Sequence, residues 1–222
     1  MIFRDRTDAG RQLAKRLKRY ADSTDVLVLA LPRGGVPVAY EVAKELKVPL
    51  DVFLVRKLGV PGYEELAMGA IASGGVRVLN EDIVNYLRIP DEVIGAVAAN
   101  EQRELERRER AYRDDRPPPD VKDHIVILID DGLATGSTMR AAAASLRLQK
   151  PRRIVVAVPV SSRETCDEFR NEVDEIVCAF TPDNFQGVGL WYEDFSQTSD
   201  EEVRELLKRA TQEQQHAMSR AL

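Results

Sequence analysis

Cysteine and histidine are scarce: the 222-residue chain has two of each, Cys166 and Cys178, His124 and His216. Two cysteines cannot build a disulfide framework, and two distant histidines provide no zinc-type ligand spacing. Long hydrophobic runs are missing too. No apolar stretch approaches the roughly 20 residues needed to cross a bilayer, and Arg4, Asp5, Arg6, Asp8 and Arg11 place charge where a signal peptide needs an apolar core. The expectation is a cytoplasmic protein with no membrane partner. An excess of positive charge is also absent. With 32 Lys and Arg against 37 Asp and Glu, the net charge is -5, which weighs against a nucleic-acid partner because phosphate backbones are bound by surplus cations. Glycine (13) and proline (11) are too few for a collagen-like or low-complexity chain. No repeat of solenoid period is visible.

Present instead are continuous apolar runs rich in β-branched residues, at Val26–Leu31, Leu50–Val55, Ile125–Ile129 and Ile154–Val160, with a weaker one at Glu175–Phe180. Such runs suit strands buried on both faces of a parallel sheet. Between them, Val38, Val42 and Leu46 recur at helical spacing, and Met139–Leu148 reads as an alanine-rich helix. The fold class is therefore α/β. Met68–Leu79 reads as a small antiparallel hairpin about Ser73-Gly74-Gly75. A long helix is expected over about Asp91–Tyr112, and its Arg103–Arg113 end interleaves Glu with Arg, as a solvated face does, although a protein-binding role stays open. A last amphipathic helix runs from Asp200 to about Ala217, capped by Ser199 or Asp200.

The chemistry concentrates in Ile125-Val-Ile-Leu-Ile-Asp130-Asp131-Gly132-Leu133-Ala134-Thr135-Gly136-Ser137-Thr138-Met139. A buried strand delivers two carboxylates, then a Gly, Thr and Ser turn, then a helix. Exposed amides of that turn, the hydroxyls of Thr135, Ser137 and Thr138, and the positive end of the helix dipole favour a phosphate monoester. The carboxylates ahead of it suit sugar hydroxyls or waters on a divalent cation. Together they describe a grip on ribose 5-phosphate. It is not a Walker A loop, since three residues separate Gly132 from Gly136 and no Lys follows. The plain alternative is a helix cap.

Residues 125 to 139 resemble the phosphoribosyl-pyrophosphate signature of type I phosphoribosyltransferases, in a form similar to that of the adenine enzymes. Leu31-Pro-Arg33-Gly34-Gly35-Val-Pro37 resembles the pyrophosphate loop of the xanthine and hypoxanthine-guanine enzymes, which often carries a cis non-proline peptide. Taken alone, it reads equally as a turn before a helix. Val55-Arg56-Lys57, at the end of the second buried run, resembles the Arg-Lys pair ahead of the mobile loop in orotate phosphoribosyltransferases. The segment from 58 to 67 that follows is too polar and too interrupted by Gly59, Pro61 and Gly62 for a strand or helix. It falls where the family has its catalytic lid, making Glu64 or Glu65 a candidate to handle a base proton. Thr181-Pro182-Asp183-Asn184-Phe185 partly resembles a purine-stacking hood, with Phe185 as the stacking aromatic and Trp191 and Tyr192 as further flat faces. Ala134 and Ser161-Ser162 stand where the oxopurine enzymes carry base-reading Asp and Lys, so an oxopurine read in the usual way does not fit.

The resemblance implies a single domain over residues 1–222, with a parallel sheet flanked by helices and a small hood from about 1–20 and 181–198. It implies transfer of ribose 5-phosphate from phosphoribosyl pyrophosphate to a nitrogen nucleophile of nucleobase type, with Mg²⁺ held through water by Asp130 and Asp131. Gly132–Thr138 would bind the 5′-phosphate, and Arg33, Gly34, Gly35, Arg56 and Lys57 the pyrophosphate. Asp130, Asp131, Glu64 and Glu65 would be catalytic, and the protein a homodimer. The alternative is a non-catalytic regulator that binds phosphoribosyl pyrophosphate or a nucleotide.

Overall fold

All but one of the apolar runs form the strands expected of them, because residues facing both ways along each strand meet a layer of helices. The computed structural model describes residues 2–113 and 116–220. Five parallel strands, β1 (Val26–Ala30), β2 (Leu50–Val52), β6 (Ile125–Ile129), β7 (Arg153–Val160) and β8 (Glu175–Phe180), lie in the order β2-β1-β6-β7-β8. On one face, Val28, Ala30, Ile127, Ile129 and Val155 pack against α1 (Arg6–Arg16), α2 (Gly35–Leu46) and α7 (Asp200–Arg220), through Leu13, Val38 and Val203 among others. On the other, Leu27, Leu29, Val126, Leu128 and Val156 meet α5 (Ser137–Leu148) at Met139 and Leu146, and α6 (Arg163–Phe169) at Phe169. Parallel pairing brings all carboxyl ends of the strands to one edge, where open α/β sheets bind ligands.

Three expectations need correction. The run Leu50–Val55 is not one strand. The Phe53 amide still donates to the Ala30 carbonyl of β1 at 2.9 Å, but Leu54 leaves the main sheet, its amide donating to the Ser73 hydroxyl at 2.9 Å. The chain then enters β3 (Val55–Val60), which with β4 (Tyr63–Ala72) and β5 (Val76–Leu79) makes a second, antiparallel sheet in the order β3-β4-β5. Arg56 and Lys57 are therefore inside a ribbon strand and not at a main-sheet strand end. Nor is 58–67 an irregular loop, since most of it is the β3–β4 hairpin. The breaks in its composition are absorbed by the turn at Pro61-Gly62 and by a bulge: Val60 pairs with Tyr63 but Gly59 with Ala67, so Glu64, Glu65 and Leu66 form an unpaired excursion. Polar composition misled here because the ribbon projects into solvent, with Tyr63 74% exposed.

The third correction concerns α4 (Asp91–Arg113), whose charged end is only partly a solvated face. Arg113 is buried, donating to the Asp51 carboxylate at 2.8 Å and to the Val52 carbonyl at 2.7 Å, with Glu109 at 3.0 Å. This cluster bolts α4 to β2. A short helix, α3 (Glu81–Leu87), capped by Asn80, precedes it. The last helix, α7, is capped by the Ser199 hydroxyl, which accepts from the Glu202 amide at 3.1 Å. The two cysteines, too few for a framework, form one cross-link from α6 to β8, Cys166–Cys178. Among the described residues no helix is long and apolar enough to cross a membrane.

Removing one member of a buried ion pair strands its partner in low dielectric, at a cost of about 3–5 kcal/mol. Arg113→Ala should therefore lower unfolding free energy by about that amount in urea titrations. Arg170→Ala, whose side chain is 69% exposed, should stay within about 0.5 kcal/mol.

Candidate active site

The site is built on the carboxyl end of β6. Ile125–Ile129 is a fully apolar strand that ends at Asp130 and Asp131, so the hydrophobic core itself carries two acids to the edge of the sheet. Both are largely desolvated. Burial raises the Asp130 carboxyl well above the ordinary carboxylate range, and the neighbouring Asp131 charge raises it further. Asp131 is also raised by burial, but the Arg6 guanidinium opposes this. Arg6 Nε and Nη2 both donate to Asp131 Oδ2, at 2.9 and 2.8 Å, and its Nη1 donates to the Ser196 carbonyl at 2.7 Å. The guanidinium lies 4.1 Å from the centre of the Phe195 ring. Tyr192 completes the clamp, its hydroxyl donating to the Asp131 carbonyl at 2.6 Å.

Arg6 is the residue that sequence reading missed. It lies 125 positions from Asp131, in a segment that read only as charged, and no local signal links the two. Tyr192 is a correction. Expected to offer a face to a base, it is buried between Phe3 and Phe195, with ring centres 5.4 and 5.0 Å away, and spends its hydroxyl on the backbone of the acid pair. The same contacts join the N-terminus to 188–196: the Phe3 amide donates to the Trp191 carbonyl at 2.8 Å, and the Glu193 amide to the Phe3 carbonyl at 2.8 Å. Trp191 and Phe185 keep partly exposed faces, with Trp191 edge-on to Phe180 at 5.3 Å.

The Gly34-Gly35 pair opposes the two acids. A Cβ on Gly34 would lie 2.1 Å from Asp131 Oδ2, and one on Gly35 would lie 2.7 Å from the Ile129 carbonyl oxygen. These glycines are needed so that the loop after β1 can lie directly against the end of β6. The peptide bond between Pro32 and Arg33 is cis, as the resemblance led one to expect.

The 132–138 loop is held by one side chain of α6 and one of α5. The Thr165 hydroxyl donates to the Ala134 carbonyl at 3.1 Å, and Arg140 Nη1 donates to the Thr135 carbonyl at 2.6 Å while Glu168 and Glu172 anchor the same guanidinium. With its carbonyls occupied in this way, the loop presents Thr135, Ser137 and Thr138 to solvent. Gly136, at φ +72°, leads into α5, whose first turn receives no side-chain cap. Those amides remain free for an anion.

The cations divide. Arg56 faces a small cavity of about 120 Å³ that it lines with Arg33, Thr138, Arg108 and Tyr112. Lys57, next along a strand and so on the opposite face, instead donates to the Glu65 carbonyl at 3.2 Å on the exposed ribbon. Glu64 accepts from the Gly62 amide at 3.2 Å, and neither Glu64 nor Glu65 lines the cavity. Among the described residues no three His, Cys, Asp or Glu side chains converge on one point.

A raised carboxyl pKa has a thermodynamic consequence. Above the ordinary carboxylate range the unfolded chain loses the Asp130 proton while the folded chain keeps it, so stability falls as pH rises through that window. Asp130→Asn should therefore stabilise the ligand-free protein, and by more at pH 8 than at pH 5, in thermal melts across that range. An equal shift at both pH values would contradict the assigned cause.

Comparison with known proteins agrees with this construction. The phosphoribosyl transferase domain family matches residues 3–193. Two curated Mycobacterium tuberculosis proteins, "Putative phosphoribosyl transferase Rv0571c" of strain H37Rv and "Putative phosphoribosyl transferase MT0597" of strain CDC 1551, are each 47% identical over 209 residues. Those residues are 94% of this chain and 47% of theirs. The chain thus spans about half the length of the curated relatives it matches. The crystal structure of TT1426 from Thermus thermophilus is 42% identical and superposes with a TM-score of 0.83, over 94% of this chain and 99% of that one. On the sheet order, the acid pair at the end of β6 and these matches, the chain belongs to the phosphoribosyl transferase domain family.

Proposed function

We propose that the chain transfers ribose 5-phosphate from phosphoribosyl pyrophosphate to a nitrogen nucleophile of nucleobase type, releasing pyrophosphate. The carrying observation is the β6–α5 connection, where two desolvated carboxylates lead straight into a loop whose Thr135, Ser137 and Thr138 are exposed and whose helix-start amides receive no side-chain cap, while its Ala134 and Thr135 carbonyls are tied down.

In this reading, Gly132, Leu133, Ala134, Thr135, Gly136, Ser137 and Thr138 hold the 5′-phosphate at the uncapped start of α5. Asp130 accepts the ribose hydroxyls, and with Asp131 it stabilises positive charge that develops on the ring as the C1–O bond to pyrophosphate breaks. Asp131, already bonded to Arg6, is a positioned charge more than a free ligand. Arg33 and Arg56, with the Gly34-Gly35 backbone, face the departing diphosphate. Asp130 makes no ion pair among the described residues, and a desolvated carboxylate of that kind suits a hard divalent cation. Mg²⁺ would rest on Asp130, water and substrate oxygens, and would supply neutralising charge to the leaving group. Phe185 and Trp191 offer stacking faces to the base, whereas Ala134 brings no side-chain group to act on it. Lys57, Glu64 and Glu65 reach the substrate by closure of the β3–β4 ribbon, which then excludes water from the cationic transition state.

Incubation with phosphoribosyl pyrophosphate, Mg²⁺ and a panel of nucleobases should release pyrophosphate with at least one base and yield the matching nucleotide by mass spectrometry. Asp130→Asn should weaken calorimetric binding of phosphoribosyl pyrophosphate by about 1.5–3 kcal/mol, the scale of one charge-assisted hydrogen bond. Unchanged affinity would sink the ribose assignment. Binding without turnover on any base would transfer the case to a regulator.

The ribbon is tested separately. Because a lid acts mainly on the transition state, deleting Tyr63–Glu65 should reduce kcat with little change in affinity for phosphoribosyl pyrophosphate. A variant that kept full turnover would remove the ribbon from the reaction.

A further inference from the structure

We infer that Arg108, delivered by the long helix α4, is a third cation of the diphosphate subsite, held ready by Glu104. The inference rests on the proposed function and adds to it a residue that neither the signature loops nor the strand ends supply. It begins with the small cavity between the Pro32-Arg33 turn, β3 and α5. Three arginines line it, Arg33, Arg56 and Arg108, together with the exposed Thr138 at the start of α5. Three cations in about 120 Å³ repel one another unless an anion joins them, and the bidentate donor geometry of arginine matches phosphate oxygens.

The two outer arginines are held by acids of α4, one turn apart. Arg56 donates to Glu101 at 2.6 Å, and Arg108 donates to Glu104 at 2.7 Å. Glu104 differs from Glu101 in having a second partner: Arg107 reaches it through two donors, at 2.8 and 3.0 Å. If Arg108 swings to a diphosphate, Glu104 keeps that two-pronged pair and no charge is stranded. The exchange is therefore cheap. Both Arg108 and Glu104 are partly solvated, with side chains 44% and 30% exposed, so neither is locked by packing. On the inner side, the Tyr112 hydroxyl is committed to Asp200 at 2.6 Å, and its burial helps push it up to about 12. It therefore stays a neutral wall of the cavity. Arg113, one residue on, anchors this end of α4 to β2, which fixes where Arg108 can reach.

Arg107 provides an internal control, because it lies on the same helical turn and pairs with the same Glu104 but does not line the cavity. Inorganic pyrophosphate, phosphoribosyl pyrophosphate with Mg²⁺, and ribose 5-phosphate should be titrated calorimetrically into the intact protein, Arg108→Ala, Arg108→Lys and Arg107→Ala. Far-ultraviolet circular dichroism should first establish that α4 is retained in each. Arg108→Ala should weaken pyrophosphate and phosphoribosyl pyrophosphate roughly ten- to hundred-fold, and ribose 5-phosphate less than about two-fold. Arg108→Lys should lie between, and Arg107→Ala, which removes the second partner of a partly solvated Glu104 but no cation of the cavity, should weaken the diphosphates by no more than about two- to three-fold. If the intact protein binds phosphoribosyl pyrophosphate and Arg108→Ala behaves as Arg107→Ala does, Arg108 has no place in the subsite, while the functional reading stands. If the intact protein binds neither diphosphate, the functional reading falls and Arg108 falls with it.

Discussion

Everything at the ligand edge depends on keeping two adjacent carboxylates desolvated at the end of an apolar strand. Such a pair is unfavourable by itself, since burial and mutual repulsion both oppose ionisation. The structure offsets this by reaching across the chain. Arg6 neutralises Asp131, Tyr192 holds the Asp131 carbonyl, and the Phe195 ring packs against the guanidinium. These three come from the two ends of the matched region, which explains why the N-terminus pairs with the 188–196 segment and does not run free. The glycines after β1 serve the same constraint, because only residues without a Cβ allow that loop to meet the acids.

Around this fixed point, rigidity is distributed unevenly. The 132–138 loop is tied down by Thr165 of α6 and by Arg140 of α5, whose guanidinium is anchored by Glu168 and Glu172. A preorganised anion site of this kind has little to rearrange when ligand arrives. The cation side is looser. Arg56 and Arg108 rest on glutamates of α4, and Lys57 rests on the exposed ribbon. The ribbon is rooted in the core by Leu58, Val60 and Met68, but its tip from 61 to 66 combines a bulge and a Pro-Gly turn with residues that are all exposed, so buried packing opposes movement at the root and not at the tip. In the proposed reading, ground-state grip and closure lie on different sheets: the parallel sheet would hold phosphate and ribose, and the antiparallel one would carry what must come and go.

Much of this was legible in the sequence where the signal was local. Buried runs identified the main-sheet strands, with β2 shorter than its run, and Ala-Thr-Gly-Ser-Thr after a strand identified the start of α5. Adjacency in sequence was a poor guide elsewhere. Arg56 and Lys57 were read as one pair, but strand pleating sends them to opposite faces, one into the cavity and one to the ribbon. The charged turn of α4 was read as solvated because Arg and Glu alternate there, yet Arg113 is buried and Arg108 lines the cavity. Polar composition from 58 to 67 argued against a strand, but Leu58 and Val60 are buried in the core while residues 61–66 form an exposed tip, where a hairpin tolerates polar residues.

By itself, the sequence determined the fold class, the strand that bears the acids and the loop that would take a phosphate, because hydrophobic periodicity and turn chemistry act over a few residues. Only the tertiary structure decided that Asp131 is paired with Arg6, that Tyr192 supports backbone and is withdrawn from any base, and that Arg33, Arg56 and Arg108 share one cavity. Those outcomes join residues as far apart as 6 and 131, or 33 and 108. Such contacts exist only after burial of the two sheets has selected one arrangement of the chain, and no local pattern encodes them.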